Sequence, residues 1–348
     1  MSKIILFLLL LLPCSVFAGE KLVFGVDVIR HGDRMPLRDL SKAAAQWPLP
    51  LGQLSPRGMR QEFELGAAMR ADYVDRYGLL PSSYAAGTVY VRSSDIDRTL
   101  MSAQCVLAGL YPHGTGPTAD GQAALPDLAQ PVPVHTVSSA EETLLYPDGP
   151  LYHFAELQPK YVYNTPQWKS REEALRPNFS RWGEATGEKI TDLLQVKSLA
   201  DVLYIRRLYN VAPPAGLTAK DVDEIVDAGQ WAFAASFGPA EIGRATGLPL
   251  LKEIVGRMEG AAGGKDGVKY VLYSAHDSTI LSELSALGAP AAEPPHYSSR
   301  LSFLLFYEGE RKFVVKTVYN GATVAVKGCG PEFCTLEQFL ALGRTEIN

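Results

Sequence analysis

Residues 22–36 read Leu22-Val23-Phe24-Gly25-Val26-Asp27-Val28-Ile29-Arg30-His31-Gly32-Asp33-Arg34-Met35-Pro36. The apolar run at the start of this stretch predicts a buried strand. The strand leads into a histidine flanked by two arginines, where Gly32 allows a tight bend and Pro36 ends the loop. Such groups are rarely buried unless paired, whereas the planar fork of arginine matches phosphate oxygens. We therefore predict that Arg30, His31 and Arg34 form a cradle for a dianion.

Two further predicted strands also end in charged or reactive side chains. One covers residues 88–91 and is followed by Arg92, and the other covers 269–275 and is followed by His276 and Asp277. Strands that alternate with helical patterns predict an α/β fold with a doubly wound, mostly parallel sheet flanked by helices. In such folds, ligands bind beyond the carboxyl ends of the strands. Each motif alone could be a solvated loop with chance charges, but three together favour one site.

Capping signals predict where the helices after the first two motifs begin. Ser55 is the expected N-cap of a helix with Pro56 in its first position. Ser94 is the expected N-cap of the next helix, with Asp97 at the capping-box position.

The middle of the chain lacks strong strand patterns and carries several helical ones. We therefore predict a mainly helical cap insertion over residues 111–267, packed on an α/β core formed by residues 19–110 and 268–348. Late in the core, residues 301–307 and 312–319 alternate between apolar and polar, which predicts a hairpin at the edge of the sheet.

The N-terminus predicts export. Residues 1–18 hold one lysine, a short apolar run and the small-residue end Val16-Phe17-Ala18, the pattern of a signal peptide cleaved after Ala18. The run is too short for a membrane span, so we expect a secreted or periplasmic protein without stable membrane insertion.

Export places the remaining cysteines in an oxidising compartment. Cys329 and Cys334 lie close together in a turn-rich segment, which predicts a local disulfide bond. A metal-binding pair is the alternative, but no further histidine or cysteine lies beside them. Cys105 falls in an apolar helical pattern and is expected to be a buried structural thiol.

Composition limits the classes of function. The chain has 348 residues, of which 47% are hydrophobic, enough for one large core or a core with a subsidiary lobe. Its formal net charge of -5 argues against nucleic acid as a main partner, because phosphate backbones demand basic surfaces.

Three guanidinium groups, two imidazoles and one carboxylate together suit phosphoryl transfer. The arginines would neutralise the phosphoryl oxygens without a metal ion. An imidazole is a competent nucleophile near neutral or mildly acid pH, and Asp277 is the candidate acid that protonates the leaving group. The sequence has no HExxH motif, no aspartate-rich cluster and no Cys/His ligand spacing, so we expect neither a metal nor a cofactor.

The three motifs, residues 30–36, 90–99 and 273–279, resemble those of the histidine acid phosphatases, branch 2 of the histidine phosphatase superfamily. The resemblance implies that His31 is the phosphorylated nucleophile and Asp277 the proton donor. It also implies a phosphate-binding set, which comprises Arg30, Arg34, Arg92 and His276.

Three functions remain open at this stage. The first is an exported acid phosphatase that acts on small phosphomonoesters, and the second is a phytase-like enzyme, which would want a basic pocket in the cap. The candidate cap residues show no clear clustering in the sequence: Lys160, Lys169, Arg171, Arg176 and Arg181. The third is a catalytically dead phosphate-binding protein, although binding alone needs neither a nucleophile nor an acid. Relatives that dimerise make a homodimer possible.

Overall fold

The computed structural model describes residues 20–125, 130–265 and 267–344. The predicted signal peptide, residues 1–18, and its cleavage site lie outside these ranges. Within them, no helix combines the length and the apolar character that a membrane crossing requires.

The described strands are β1 (Lys21–Arg30), β2 (Val89–Ser93), β3 (Thr118–Ala119), β4 (Gln122–Ala123), β5 (Val134–His135), β6 (Tyr270–Ala275), β7 (Arg300–Gly309), β8 (Lys312–Tyr319), β9 (Ala322–Thr323) and β10 (Cys334–Thr335). The described α-helices are α1 (Pro56–Arg70), α2 (Asp97–Leu110), α3 (Phe154–Gln158), α4 (Pro166–Leu175), α5 (Phe179–Thr186), α6 (Leu193–Leu208), α7 (Ala219–Ala235), α8 (Ala240–Thr246), α9 (Leu248–Ala262), α10 (Asp277–Ala286) and α11 (Leu336–Gly343).

The main sheet has the strand order β10-β8-β7-β1-β6-β2-β5, and β9 pairs with β8. Strands β1, β6, β2 and β5 are parallel, whereas β7, β8 and β10 pair antiparallel on the other side of β1. The parallel centre with flanking helices confirms the predicted α/β fold class. Strands β7 and β8 also confirm the predicted hairpin.

The core lies on both faces of this sheet, because successive side chains of a strand point to opposite faces. On one face, Phe24, Val26 and Val28 of β1 belong to the apolar cluster that includes residues of α9, α10 and α11. On the other face, Ile29 of β1 packs with residues of α1 and α2.

A second lobe, called the cap below, is formed by α4 to α8. Its apolar cluster is built around buried side chains such as Trp168, Trp182 and Ile225. Leu281 of α10 belongs to the same cluster, so the lobe is continuous with the core.

The predicted insertion, residues 111–267, extends too far at both ends. Strand β5 pairs with β2 in the main sheet. Helix α9 buries Leu250, Ile254 and Met258 in the cluster that covers the sheet. An amphipathic pattern shows that a helix has an apolar face, but it does not show which layer that face meets.

One of the two predicted helix N-caps, Ser55, is confirmed, and the other, Ser94, is wrong. The hydroxyl of Ser55 accepts a hydrogen bond from the backbone N–H of Gly58 at 2.9 Å, with Pro56 at the start of α1. Helix α2 instead begins at Asp97, and Ile96 occupies its N-cap position without a side-chain cap. Ser94 is used elsewhere, as described below.

Cys329 and Cys334 form the predicted disulfide bond. Among the described cysteines, Cys105 is free, and it is half-buried rather than fully buried.

Candidate active site

The pairing of β1 with β6 brings the first and last motifs together. Arg30, the last residue of β1, lies opposite Ala275, the last residue of β6. The next residues are His31 and His276, whose ring centroids are 5.6 Å apart. Two segments that are distant in the sequence thus place two imidazoles side by side at the carboxyl edge of the sheet.

The hydrogen bonding of His31 fixes its tautomer. Nδ1 lies 2.8 Å from the carbonyl oxygen of Gly32, and the ring is buried. A carbonyl only accepts, so Nδ1 carries the proton and Nε2 carries the lone pair. Burial, followed by the positive charges of Arg98 and Arg30, holds the pKa of His31 well below its ordinary value. The imidazole therefore stays neutral, and so nucleophilic, in mild acid.

Arg30 is held by the motif that follows β6. Its Nη2 lies 2.7 Å from Oδ2 of Asp277, and its guanidinium lies over the ring of Tyr297 at 4.2 Å from the centroid. Burial alone would raise the pKa of Asp277, but Arg30 and then Arg34 outweigh it, so the net shift is downward. Asp277 is thus an ionised partner of Arg30 in the ligand-free site.

Arg34 makes a bidentate ion pair with the cap. Its Nη2 and Nη1 donate to Oδ1 and Oδ2 of Asp201 on α6, at 3.0 and 3.2 Å. Burial would lower the pKa of Arg34, but Asp201 raises it above the ordinary value. The sequence reasoning did not find Asp201, because nothing in its own segment marks it.

The structure places Arg98, and not Arg92, with the two histidines. Arg98 lies in the first turn of α2, and its charge affects the pKa values of His31 and His276 more than any other charge does. Arg92 instead donates to the buried carboxylate of Glu142 at 2.8 Å. Arg92 precedes the last residue of β2, so its side chain projects from a face of the sheet rather than from its edge.

His276 contacts the segment that joins β2 to α2. Its Nε2 lies 2.9 Å from the hydroxyl of Ser94, which also lies 2.8 Å from the hydroxyl of Thr99. Burial, followed by the charge of Arg98, lowers the pKa of His276 to about 3. The ring is therefore neutral in the ligand-free site.

Close backbone packing fixes the motif loop, which is the part of the first motif that follows β1, residues 31–36. A Cβ on Gly32 would lie 2.5 Å from the carbonyl oxygen of Gly58, so the loop and the start of α1 touch without side chains between them. Asp33 then accepts hydrogen bonds from the hydroxyl of Ser55, at 2.6 Å, and from the hydroxyl of Tyr209 in the cap. The loop is thus fastened to both α1 and the cap.

Several buried arginine N–H groups have no hydrogen-bond partner among the described residues and are available to a bound anion. Within the described ranges, Nε is buried without a hydrogen-bond partner in four arginines, Arg30, Arg34, Arg92 and Arg98. Three of them, Arg30, Arg34 and Arg98, also carry charges that act on His31. Unpaired buried N–H groups of charged side chains are costly, which indicates a site for a ligand with several acceptor oxygens. The same ranges hold no group of three or more His, Cys, Asp or Glu side chains placed to bind a metal ion.

The family follows from the match of residues 21–320 to the model described as the histidine phosphatase superfamily (branch 2). The chain belongs to this family. It is 33% identical to the lysosomal acid phosphatase of Bos taurus over 93% of this chain and 78% of the relative. It is 32% identical to the prostatic acid phosphatase of Homo sapiens over 94% of this chain and 86% of that one.

The fold is shared with a solved structure. The apo form of Hafnia alvei phytase superimposes with a TM-score of 0.68 at 16% identity, over 95% of this chain and 98% of that chain. At this identity the likeness shows the fold alone.

Proposed function

We propose that this protein is an exported acid phosphatase that hydrolyses small phosphomonoesters through a phosphohistidine on His31. One observation carries the proposal. The neutral imidazole of His31, with its lone pair on Nε2, is buried among Arg30, Arg34 and Arg98. Binding alone does not need a nucleophile in this setting.

The proposed reaction has two displacements at phosphorus. Nε2 of His31 attacks the phosphorus atom, the ester P–O bond breaks, and the leaving oxygen takes a proton from the carboxyl group of Asp277. Water then attacks the phosphorus atom and gives its proton to the Asp277 carboxylate as the P–N bond breaks. Inorganic phosphate and the neutral imidazole are regenerated.

Substrate binding itself favours the protonated form of Asp277, the proposed acid. Asp277 is ionised against Arg30 in the free site, but a bound phosphoryl dianion competes for that guanidinium and repels the carboxylate. Both effects raise the pKa of Asp277 and favour its protonated form. Protonation is easier in acid, which supports an acid optimum.

Arginines supply the positive charge. We assign Arg30, Arg34 and Arg98 to the phosphoryl oxygens, with His276 beside them, because each has a buried, unpartnered Nε among the described residues and each lowers the pKa of His31. Arg92, which the sequence suggested, is assigned to hold Glu142.

Export is supported by the disulfide bond between Cys329 and Cys334, since such bonds persist in oxidising compartments. With the expected signal peptide at residues 1–18, it favours a secreted or periplasmic location.

Two of the five candidate basic residues of the cap are already paired with carboxylates, which favours a phosphatase over a phytase-like enzyme. Arg176 pairs with Glu172 and Glu173, and Arg181 pairs with Asp221. Such pairing leaves less basic surface for a highly phosphorylated substrate.

Turnover and trapping test the proposal. The wild-type protein should hydrolyse p-nitrophenyl phosphate in acid, and rapid quenching with radiolabelled substrate should trap an acid-labile, base-stable phosphoenzyme. His31→Ala should abolish both, whereas the control His153→Ala, at a side chain that is 71% exposed, should change neither. A wild-type protein that binds phosphate without turnover, or a label on serine or aspartate, would reject the proposal.

A further inference from the structure

Asp201 occupies one edge of a guanidinium that we assign to the phosphoryl group. Its two oxygens accept hydrogen bonds from Nη2 and Nη1 of Arg34 at 3.0 and 3.2 Å. Nη1 also donates to the carbonyl oxygen of Met35 at 3.1 Å. The end-on edge of the guanidinium is therefore taken by the protein.

The other edge of Arg34 is left for the substrate. Nε is buried without a partner among the described residues. Together with the second proton of Nη2, it forms a two-donor edge that suits two phosphoryl oxygens. Asp201 thus orients Arg34 and restricts it to one bidentate contact.

Asp201 lies on the outer side of the phosphoryl site. Its side chain is 32% exposed, whereas that of Arg34 is 6% exposed. The organic part of a substrate must extend from the buried phosphoryl group towards solvent, and we infer that its path runs beside the partly exposed carboxylate of Asp201. Lys197, one turn earlier on α6, has its charge interaction with Asp148 instead of with Asp201.

We propose that Asp201 is a specificity-determining residue, which makes the site select substrates with a single phosphate over those with a second phosphate. This inference rests on the proposed function. A second phosphate that extends past α6 would meet a fixed negative charge and would find the end-on edge of Arg34 occupied. For a partly exposed carboxylate, repulsion of this kind corresponds to about a tenfold loss of kcat/KM.

Two sugar phosphates that differ by one phosphate test the inference. We would measure kcat/KM for fructose 6-phosphate and fructose 1,6-bisphosphate with the wild type, Asp201→Asn and Asp201→Ser. The matched control is Asp223→Asn, which removes the partner of Arg207 from another ion pair of the cap. Thermal melting verifies that each variant is folded.

The wild type should prefer the monophosphate by about tenfold, and both Asp201 variants should lose most of that preference. Asp223→Asn should keep it. A wild type that uses both substrates equally would overturn the inference without any variant. So would Asp201 variants that lose activity on both substrates by the same factor, since that result indicates positioning of Arg34 alone. Hydrolysis of p-nitrophenyl phosphate, measured alongside, separates the two failures. A wild type that is inactive on it too rejects the proposed function, whereas one that is active on it but on neither sugar phosphate overturns the inference.

Discussion

At the scale of single residues, the site depends on which hydrogen-bonding groups of each side chain are already bonded to the protein and which remain for the substrate. Nδ1 of His31 is held by Gly32, which directs the lone pair of Nε2 outward. Arg30 and Arg34 each have one carboxylate partner, Asp277 and Asp201, and each keeps a buried Nε. Fixed donors that need no rearrangement during reaction are the most effective in stabilising a transition state.

Replacing the two arginines of the second motif should have different effects, on activity for Arg98 and on stability for Arg92. Arg98→Ala should lower kcat/KM by about 10²–10³-fold, the usual cost of one lost transition-state donor. Arg92→Ala should leave Glu142 buried without its partner and cost about 3 kcal/mol of stability. Steady-state kinetics and chemical denaturation measure the two effects. A folded, stable Arg92→Ala protein without activity would show that Arg92 contacts the phosphoryl group after all.

Asp277→Asn should reveal proton donation through its dependence on the leaving group. Turnover of an alkyl phosphate should fall by about 10²–10⁴-fold, because an alkoxide leaves poorly without a proton. Turnover of p-nitrophenyl phosphate should fall far less, since p-nitrophenolate is a much weaker base. Equal losses on the two substrates would mean that Asp277 only positions Arg30 or His276.

At the scale of elements, α1 supports the motif loop from behind. Its Glu62 is fully buried and accepts a hydrogen bond from Ser298 at 2.7 Å, and the backbone N–H of Ser298 donates to the carbonyl of His31 at 3.3 Å. Burial raises the pKa of Glu62 to about 8. The helix therefore carries a carboxyl group that stays protonated when the protein is folded in acid.

The raised pKa of Glu62 predicts how stability depends on pH. The folded state holds this proton more tightly than the unfolded state, so its contribution is complete below about pH 4.5 and is lost as the pH rises through 8. Glu62→Gln removes that dependence, and relative to wild type it should gain about 2–4 kcal/mol between pH 5 and pH 8. Denaturation at both pH values measures the gain. Exposed Glu64→Gln is the control, and an equal gain there would refute the assignment.

The disulfide bond should stabilise the C-terminal end of the core. It joins Cys329 to Cys334 on β10, the strand that pairs with β8 and leads into α11. The double replacement of both cysteines by serine should cost about 2 kcal/mol, as expected for a short closed loop. Cys105→Ser serves as the control for loss of a thiol, and a loss as large in that variant would contradict the assignment.

At the scale of the molecule, cap and core are one structure joined through α10. Leu281 packs in the cap cluster and Leu284 in the sheet cluster, and both are buried. The ion pair between Arg34 and Asp201 and the contact of Tyr209 with Asp33 add polar links across the same boundary. The cap therefore cannot separate from the site without breaking buried contacts.

Joint packing predicts a single unfolding transition. Leu281→Ala and Leu284→Ala, on one helix but in different clusters, should each lower stability by about 2–5 kcal/mol. Calorimetry should show one transition that shifts in both variants. Two transitions, of which Leu281→Ala moves only one, would show that the cap unfolds independently.

The sequence by itself determined the features that depend on neighbouring residues. The strand before Arg30, the N-cap at Ser55, the hairpin of β7 and β8 and the Cys329–Cys334 bond all follow from local patterns, and each is present. The first and last motifs were also expected at one edge of the sheet, because parallel strands end together there.

Only the tertiary structure decided which distant groups meet. Arg92 and Arg98 lie in one motif, but the first projects from a strand and the second from the first turn of a helix, so only Arg98 reaches the histidines. Asp201 is an ordinary helix residue in sequence, and it becomes part of the site because the cap places α6 against the motif loop. Local patterns fix an element and its apolar face, whereas the packing of whole elements fixes the partners of each charge.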